Sequence, residues 1–218
     1  MATDFWLQKW VDNKIGFHQD QYNPFLVEYW KKYCPEVGAV FVPLCGKTKD
    51  MLFLREIGHQ VYGVELSEIA VKDFFQDNNL SYKVEKRDDF IIYSGGGFCL
   101  FCGDLFKLKS SDFKNVDYIY DRASLIALSK SQQGKYCAFI KQTFPQSSLF
   151  LITLEFDNPK IGPPFSTSQA CVENYFADHF EVEKITELSI KSEEIRVHAG
   201  NVTKMKENVF FIKQKGQS

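Results

Sequence analysis

Residues 41–51 read FVPLCGKTKDM and place one glycine, Gly46, between a short apolar run and a segment with helical spacing. The apolar run at 39–42 (AVFV) is typical of a buried strand, and the apolar spacing after Thr48 is typical of a helix. A glycine at such a junction lets backbone N–H groups approach a ligand at the start of the helix. This stretch therefore predicts the first strand–turn–helix unit of an α/β fold.

Two glycine-rich motifs do not fit this turn. A P-loop requires a glycine five residues before Gly46, and the chain has Phe41 there. A dinucleotide fingerprint requires three spaced glycines, and this turn has only Gly46. An ordinary structural turn remains open as the alternative.

Glu65 ends the next predicted strand, residues 60–65 (QVYGVE), 19 positions after Gly46. An acid about 20 residues after a glycine turn is placed to accept hydrogen bonds from ribose hydroxyls. Because the turn lacks the glycines that a pyrophosphate needs, the pair indicates an adenosine-containing cofactor. Two alternatives stay open: a solvated strand-end carboxylate, and an NAD-dependent oxidoreductase, which should need a glycine-richer loop.

Two more predicted strands end in polar residues. Asp104 follows the strand-like segment 98–102, where its carboxylate could accept from an adenine amino group while Leu105 packs on the ring. Arg122 follows the strand VDYIYD at 116–121, and its fixed fork of donors suits an anionic acceptor. The structural alternatives are a plain turn for Asp104 and a surface Asp–Arg pair for Arg122.

Strand and helix patterns alternate along the chain and end in two strands near 180–190 and 207–214. This order predicts a mainly parallel sheet with an antiparallel edge hairpin. The first 35 residues precede the first sheet strand, and Asn23-Pro24 is typical of a helix start. We therefore expect one domain over residues 1–218, in which residues 1–35 form a helical cover.

Composition narrows the class of protein. Hydrophobic content of 44% with 25% charged residues is ordinary for a soluble globular chain of 218 residues. The 26 Lys and Arg against 28 Asp and Glu argue against nucleic acid and anionic membranes as partners. The first residues lack a signal-peptide pattern, and no apolar run approaches bilayer length. We expect a cytoplasmic protein, with a monomer favoured.

The cysteines and histidines do not predict a metal site. Cys99 and Cys102 form one CxxC with no second pair, and the four histidines show no ligand spacing. Six cysteines spread through a chain of this size suit reduced thiols.

Several segments, in order and correctly spaced, carry a family resemblance. They are FWLQKW (5–10), NKIGFH (13–18), FVPLCGKTKDM (41–51), GVELSEIAVKDFF (63–75), CGDLF (102–106), YDRASLIAL (120–128) and GPPF (162–165). With these, the chain resembles a bacterial member of the thiopurine S-methyltransferase family. The resemblance implies a class I, Rossmann-like, seven-stranded methyltransferase fold that binds S-adenosylmethionine and releases S-adenosylhomocysteine. The implied reaction, in EC class 2.1.1, methylates the sulfur of aromatic or heterocyclic thiols such as thiopurines.

The resemblance also assigns residues. It implies that six residues contact the cofactor: Trp10, Leu44, Glu65, Asp104, Leu105 and Arg122. Phe17 would shield the acceptor, Arg196 would be a second acceptor-side arginine, and Arg122 would also hold the acceptor anion as the catalytic residue. The stretch HAGNVTKMKEN at 198–208 departs from the family pattern, which leaves the acceptor range open.

Other readings of the reaction stay open. Selenium or tellurium compounds are alternative small-molecule acceptors, and a non-catalytic nucleoside-binding protein is a further alternative. If the acceptor is already a thiolate, the protein mainly positions the reacting groups and excludes water. Cys45 as a covalent nucleophile is a possibility with no partner residue evident in the sequence.

Overall fold

The computed structural model describes residues 2–158, 160–191 and 202–216. The chain divides into two compact units, residues 1–116 and residues 117–218. No helix of the described part is long and apolar enough to cross a bilayer.

Residues 2–116 of the first unit form four α-helices and five strands. Its helices are α1 (Ala2–Val11), α2 (Pro24–Tyr33), α3 (Asp50–Glu56) and α4 (Glu68–Asp77). Its strands are β1 (Ala39–Val42), β2 (Gln60–Glu65), β3 (Lys83–Arg87), β4 (Phe90–Gly95) and β5 (Phe98–Cys102). Short 3-10 helices follow at Leu105–Lys107 and Ser110–Asp112.

The strands of the first unit lie in the order β3-β4-β5-β2-β1. Strands β1, β2 and β5 are parallel, whereas β4 is antiparallel to β5 and β3 is antiparallel to β4. The carboxyl ends of β1, β2 and β5 therefore lie along one edge, and Glu65 at the end of β2 pairs in register with Cys102 at the end of β5. This edge is where an open α/β sheet binds ligands.

The second unit contains three helices and four strands in its described part. They are β6 (Tyr118–Asp121), α5 (Ser124–Ala127), α6 (Lys130–Thr143), β7 (Ser148–Phe156), α7 (Gln169–Phe176), β8 (Phe180–Ile190) and β9 (Met205–Gln214). The strand order is β6-β7-β9-β8, with β6 parallel to β7 and with β9 antiparallel to both β7 and β8. The expected antiparallel edge hairpin is confirmed as β8–β9.

The expected count of seven strands is wrong, because the described residues form nine. The difference lies in the antiparallel strands β3 and β4, which precede β5 in the chain. A left-handed Asp88, with φ of 49°, turns β3 into β4, and Gly96 and Gly97, with φ of 61° and 90°, turn β4 into β5. These turns divide residues 83–102 into three strands and add a second antiparallel edge.

The predicted helical cover is confirmed as helices α1 and α2. The Asn23 side-chain oxygen accepts from the backbone N–H groups of Phe25 and Leu26, at 3.0 and 3.3 Å, and so caps α2. Below the cover, the first unit is packed with aromatic rings, such as Phe113 against Phe41 and Phe101, at centroid distances of 5.4 and 5.5 Å. Such rings bury large areas, so they fix the strands whose ends form the site.

Candidate active site

The turn after β1 and the end of β2 are joined by a hydrogen bond between Gly46 and Glu65. The Gly46 N–H donates to Oε2 of Glu65 at 2.9 Å, and the Ser67 N–H donates to Oε1 of the same carboxylate at 2.8 Å. Gly46 has φ of 52°, in the left-handed region that favours glycine. The sequence prediction that this turn and this acid meet is confirmed.

Burial sets the electrostatics of Glu65. The side chain is buried, and the loss of water raises the pKa of its carboxyl above the usual 4.5. The backbone N–H groups of Ser67, Gly46 and Leu66 oppose that rise, because they stabilise the charged form. The result is a buried acceptor held in one orientation by backbone donors from two segments.

Lys47 ties the same turn to helix α4. Its Nζ lies 3.2 Å from Asp73 Oδ2 and 2.9 Å from Asp77 Oδ2, and only 15% of its side chain is exposed. These two ion pairs hold the residue next to Gly46 against a helix that starts just after Glu65. The turn is therefore anchored on both sides.

Trp10 of the cover packs directly on the turn. A Cβ atom added to Gly46 would lie 3.0 Å from Cζ2 of the Trp10 ring, so the glycine allows this close approach. The Phe17 ring is partly exposed and lies edge-on to Trp10, with 5.5 Å between centroids. Leu44, which precedes the buried Cys45, has a strained φ of 42°. The structure thus brings Trp10, Leu44, Phe17 and Glu65 to one region of the first unit.

Asp104 and Leu105 lie at the end of the adjacent strand. The Gly103 N–H donates to the Glu65 carbonyl at 2.9 Å, which brings this loop beside the end of β2. The Asp104 side chain is exposed and accepts from the Phe106 N–H through Oδ1 at 3.0 Å, whereas Leu105 is buried. The Asp104 carboxylate keeps acceptor capacity, because two carboxylate oxygens offer about four lone-pair sites.

These residues fit an adenosine moiety. The Glu65 carboxylate accepts from the N–H groups of Gly46 and Ser67, and Leu66 is a third backbone donor, so of about four lone-pair sites at least one remains for a ribose hydroxyl. Asp104 supplies a second acid on the neighbouring strand end, suited to an exocyclic amino donor. Within the described residues, no group of three or more His, Cys, Asp or Glu side chains could hold a metal ion.

In the second unit, Arg122 directly follows β6 and is half-buried. The preceding residue, Asp121, is buried and accepts from the Ser124 N–H at 2.8 Å and from the Tyr136 hydroxyl at 2.6 Å. Burial raises the pKa of the Asp121 carboxyl, and the hydrogen bond from Tyr136 is the largest opposing influence. This network fixes the turn from which the Arg122 side chain projects.

Two residues of this unit were not found from the sequence. Tyr136 lies on α6, 15 positions after Asp121, so no local motif links the two. Glu207 on β9 faces the charge of Arg122, and that charge lowers a carboxyl pKa that burial raises. The only available signal for Glu207 was its place in the segment 198–208, which departs from the family pattern. Arg196 lies outside the described residues.

The chain is similar to known proteins over nearly its whole length. Residues 1–215 match the family model described as Thiopurine S-methyltransferase (TPMT). A thiopurine S-methyltransferase of Pseudomonas fluorescens (strain Pf0-1) is 38% identical over 215 residues, which cover 98% of this chain and 99% of that protein.

Two solved structures have a similar fold. A SAM-dependent methyltransferase from Anabaena variabilis aligns with a TM-score of 0.68 at 16% identity, covering 99% of this chain and 96% of that one. The 1,6-didemethyltoxoflavin-N1-methyltransferase of Burkholderia thailandensis, solved with S-adenosylhomocysteine, aligns with a TM-score of 0.66 at 15% identity, covering 97% and 86%. The structural likeness identifies the fold as that of methyltransferases, and the sequence match shows that the chain belongs to the thiopurine S-methyltransferase family.

Proposed function

We propose that this protein transfers a methyl group from S-adenosylmethionine to the sulfur of aromatic or heterocyclic thiols such as thiopurines. The hydrogen bond between Gly46 and Glu65 carries the proposal, because it places a buried acid beside a glycine turn at the ligand-binding edge of the sheet. Membership of the thiopurine S-methyltransferase family supports the choice of sulfur as the acceptor atom.

The first unit supplies the cofactor contacts in this proposal. Glu65 binds the ribose hydroxyls, Asp104 accepts from the adenine amino group, and Leu105 contacts the ring. Trp10 and Leu44 lie at the glycine turn and contact the rest of the cofactor. When bound, the cofactor supplies an electrophilic methyl group on a positively charged sulfur. The chain's own task is to orient the nucleoside and to exclude water from the transfer.

Arginine favours the reactive form of the acceptor. A heterocyclic thiol ionises more readily than an alkyl thiol, and a nearby guanidinium lowers its pKa further. Glu65, Asp104 and Leu105 would hold the cofactor, which would supply its electrophilic methyl group to the thiolate held by Arg122. No proton needs to move in this step, so no general base is required. We assign the anion-holding role to Arg122, a second such role to Arg196, and shielding of the acceptor to Phe17.

Further parts of the proposal concern the whole protein. The family match runs through both compact units, which supports one methyltransferase domain over residues 1–218, as expected from the sequence. We also propose that the protein is a monomer located in the cytoplasm. Its composition resembles that of soluble proteins and gives no sign of nucleic-acid or membrane binding.

The test is a panel of acceptors incubated with methyl-labelled S-adenosylmethionine. Thiopurines, simple aromatic thiols, alkyl thiols, selenite and tellurite are each scored for labelled product and for S-adenosylhomocysteine. We expect fastest turnover with heterocyclic thiols, and a strong loss of turnover in Arg122→Ala. Binding of the donor without turnover of any acceptor would contradict the proposal, and turnover of selenite or tellurite alone would reassign the acceptor atom.

A further inference from the structure

Arg122 and Glu207 lie near the same end of the sheet in the second unit, where β6 ends. Asp121, the last residue of β6, pairs with Leu151, and Leu151 pairs with Phe210 on β9. Arg122 directly follows Asp121, so it leaves the sheet at the level of Leu151 and Phe210. Leu154 lies three residues after Leu151, and its β9 partner Glu207 lies three residues before Phe210, so this pair lies just beyond the end of β6.

The charges of these two residues act on each other. Glu207 is half-buried, and burial raises the pKa of its carboxyl while the positive charge of Arg122 lowers it. The acid on β9 and the arginine directly after β6 are therefore within electrostatic range of each other, and these two strands lie on either side of β7.

The surface around Glu207 is apolar. Its β7 neighbour Leu154 is half-buried, and its β8 neighbour Leu188 is 52% exposed. Leu154 packs against the buried cluster of Phe156, Val202 and Met205. Apolar neighbours beside an acid, with an arginine charge within range, suit a ring that carries an anion and a hydrogen-bond donor.

We propose that Glu207 is a specificity-determining residue, which accepts a hydrogen bond from a ring N–H of the acceptor while Arg122 faces the thiolate. This inference rests on the proposed function, and it narrows the substrate class to heterocyclic thiols that present an N–H group on the ring. The same carboxylate repels thiols that carry a second negative charge. Acceptors such as 2-mercaptobenzoate, with a carboxylate and no N–H, are therefore disfavoured.

The test compares 6-mercaptopurine with 2-mercaptobenzoate in the full-length protein. Wild type should prefer 6-mercaptopurine by kcat/KM. Glu207→Gln removes the charge and keeps the shape, so it should shift the ratio toward 2-mercaptobenzoate by at least roughly fivefold, the size expected when one like-charge contact at about 4 Å in a water-like dielectric is removed. Glu207→Leu removes the acceptor as well and should also lower kcat/KM for 6-mercaptopurine. Affinity for S-adenosylmethionine, measured by calorimetry, should not change.

A matched control is Glu181→Gln on β8, where an exposed acid lies 3.5 Å from Lys213. This variant should leave the acceptor ratio unchanged. An unchanged ratio in both folded Glu207 variants would overturn the inference while wild-type thiol methylation upheld the proposed function. A wild type without thiol methylation would instead overturn the proposed function.

A second test uses only the wild-type protein, so its result does not depend on whether a variant folds. The methyl ester of 2-mercaptobenzoate lacks the negative carboxylate, so it should be methylated more efficiently than the acid. A better rate with the acid would contradict a repulsive Glu207.

Discussion

The Gly46 N–H donates a 2.9 Å hydrogen bond to Oε2 of Glu65, across 19 residues of chain. Through this bond, the turn after β1 and the end of β2 act as one unit, in which a backbone donor orients a buried acid. Ser67, the cap of α4, completes the arrangement by donating to the other oxygen at 2.8 Å. The orientation of the carboxylate is thus set before any ligand binds.

Replacing Glu65 should weaken binding of S-adenosylmethionine. Glu65→Gln loses the charge that strengthens hydrogen bonds to ribose hydroxyls, so affinity should fall by about 1–3 kcal/mol. Titration calorimetry measures the change, with circular dichroism to confirm folding. Glu85→Gln on the exposed strand β3 is the control and should bind normally. Unchanged affinity in folded Glu65→Gln would contradict the ribose assignment.

Cofactor affinity should also depend on pH through Glu65. Its pKa is raised by burial, so protonation of the free protein begins above the pH at which an ordinary glutamate with a pKa of 4.5 titrates. Because ribose hydroxyls favour the charged form, affinity should fall as the pH decreases through this raised pKa, and binding in that range should release a proton. Calorimetry in two buffers of different ionisation enthalpy measures the release. Absence of proton release there, or its persistence in Glu65→Gln, would count against Glu65.

Two glycine-to-alanine changes should have opposite effects on stability. Gly46→Ala forces a side chain into a left-handed conformation, which costs about 1–2 kcal/mol, and its Cβ would lie 3.0 Å from the Trp10 ring. Gly134→Ala adds a Cβ in the exposed interior of α6, with no atom within 4 Å, and should stabilise the protein by about 1 kcal/mol. Urea unfolding measures both changes. Equal effects would mean that the Gly46 turn is relaxed.

The sequence predicted the features that depend on local chemistry. Asn23-Pro24 marks the start of α2 because an asparagine side chain can satisfy the first backbone donors of a helix. Gly46 and Glu65 could be paired because neighbouring parallel strands end at one edge of a sheet. The family resemblance assigned Trp10 to the cofactor and Phe17 to shielding of the acceptor. The structure packs Trp10 on the Gly46 turn and Phe17 edge-on to Trp10.

Other features depend on contacts that no local pattern encodes. Strand β3 reads KVEKR and is exposed over most of its length, so it lacks the alternation that predicts a half-buried strand, and its pairing with β4 defines it. The bond between Asp121 and Tyr136 joins a strand to a helix and depends on how α6 packs. Glu207 gains significance only when the register of β7 and β9 places it near the end of β6, which Arg122 directly follows.

Tyr136→Phe should destabilise the second unit in a pH-dependent manner. The change removes a 2.6 Å hydrogen bond to buried Asp121, and bonds to charged groups contribute about 1.5–3 kcal/mol. Because burial raises the pKa of Asp121 in the folded protein, the free energy of unfolding falls as the pH rises through that pKa. Loss of the Tyr136 hydrogen bond raises the pKa of Asp121 further. The free energy of unfolding that Tyr136→Phe loses should therefore be larger at about pH 7.5 than at about pH 4, where less of the Asp121 carboxyl is charged.

Urea unfolding at the two pH values measures this difference, with Tyr29→Phe on α2 as a control that should show little pH dependence. A loss of equal size at both values would mean that Asp121 does not change its charge over this range. Because the Asp121 network also fixes the turn before Arg122, Tyr136→Phe should lower turnover more than it lowers affinity for S-adenosylmethionine.

Cys45→Ala should retain turnover. The Cys45 thiol is buried beside Gly63, and burial, followed by the charge of Glu65, raises its pKa well above 9.0. A thiolate is the nucleophilic form of cysteine, so a thiol with this pKa is almost entirely protonated and unreactive at neutral pH. We expect kcat within about threefold of wild type, since only packing next to the turn is lost. Cys171→Ala on α7 serves as the control for a thiol remote in sequence from the turn. If Cys45→Ala lost turnover by orders of magnitude while it still bound S-adenosylmethionine, Cys45 would have to take part in the chemistry, and direct transfer to the acceptor would be wrong.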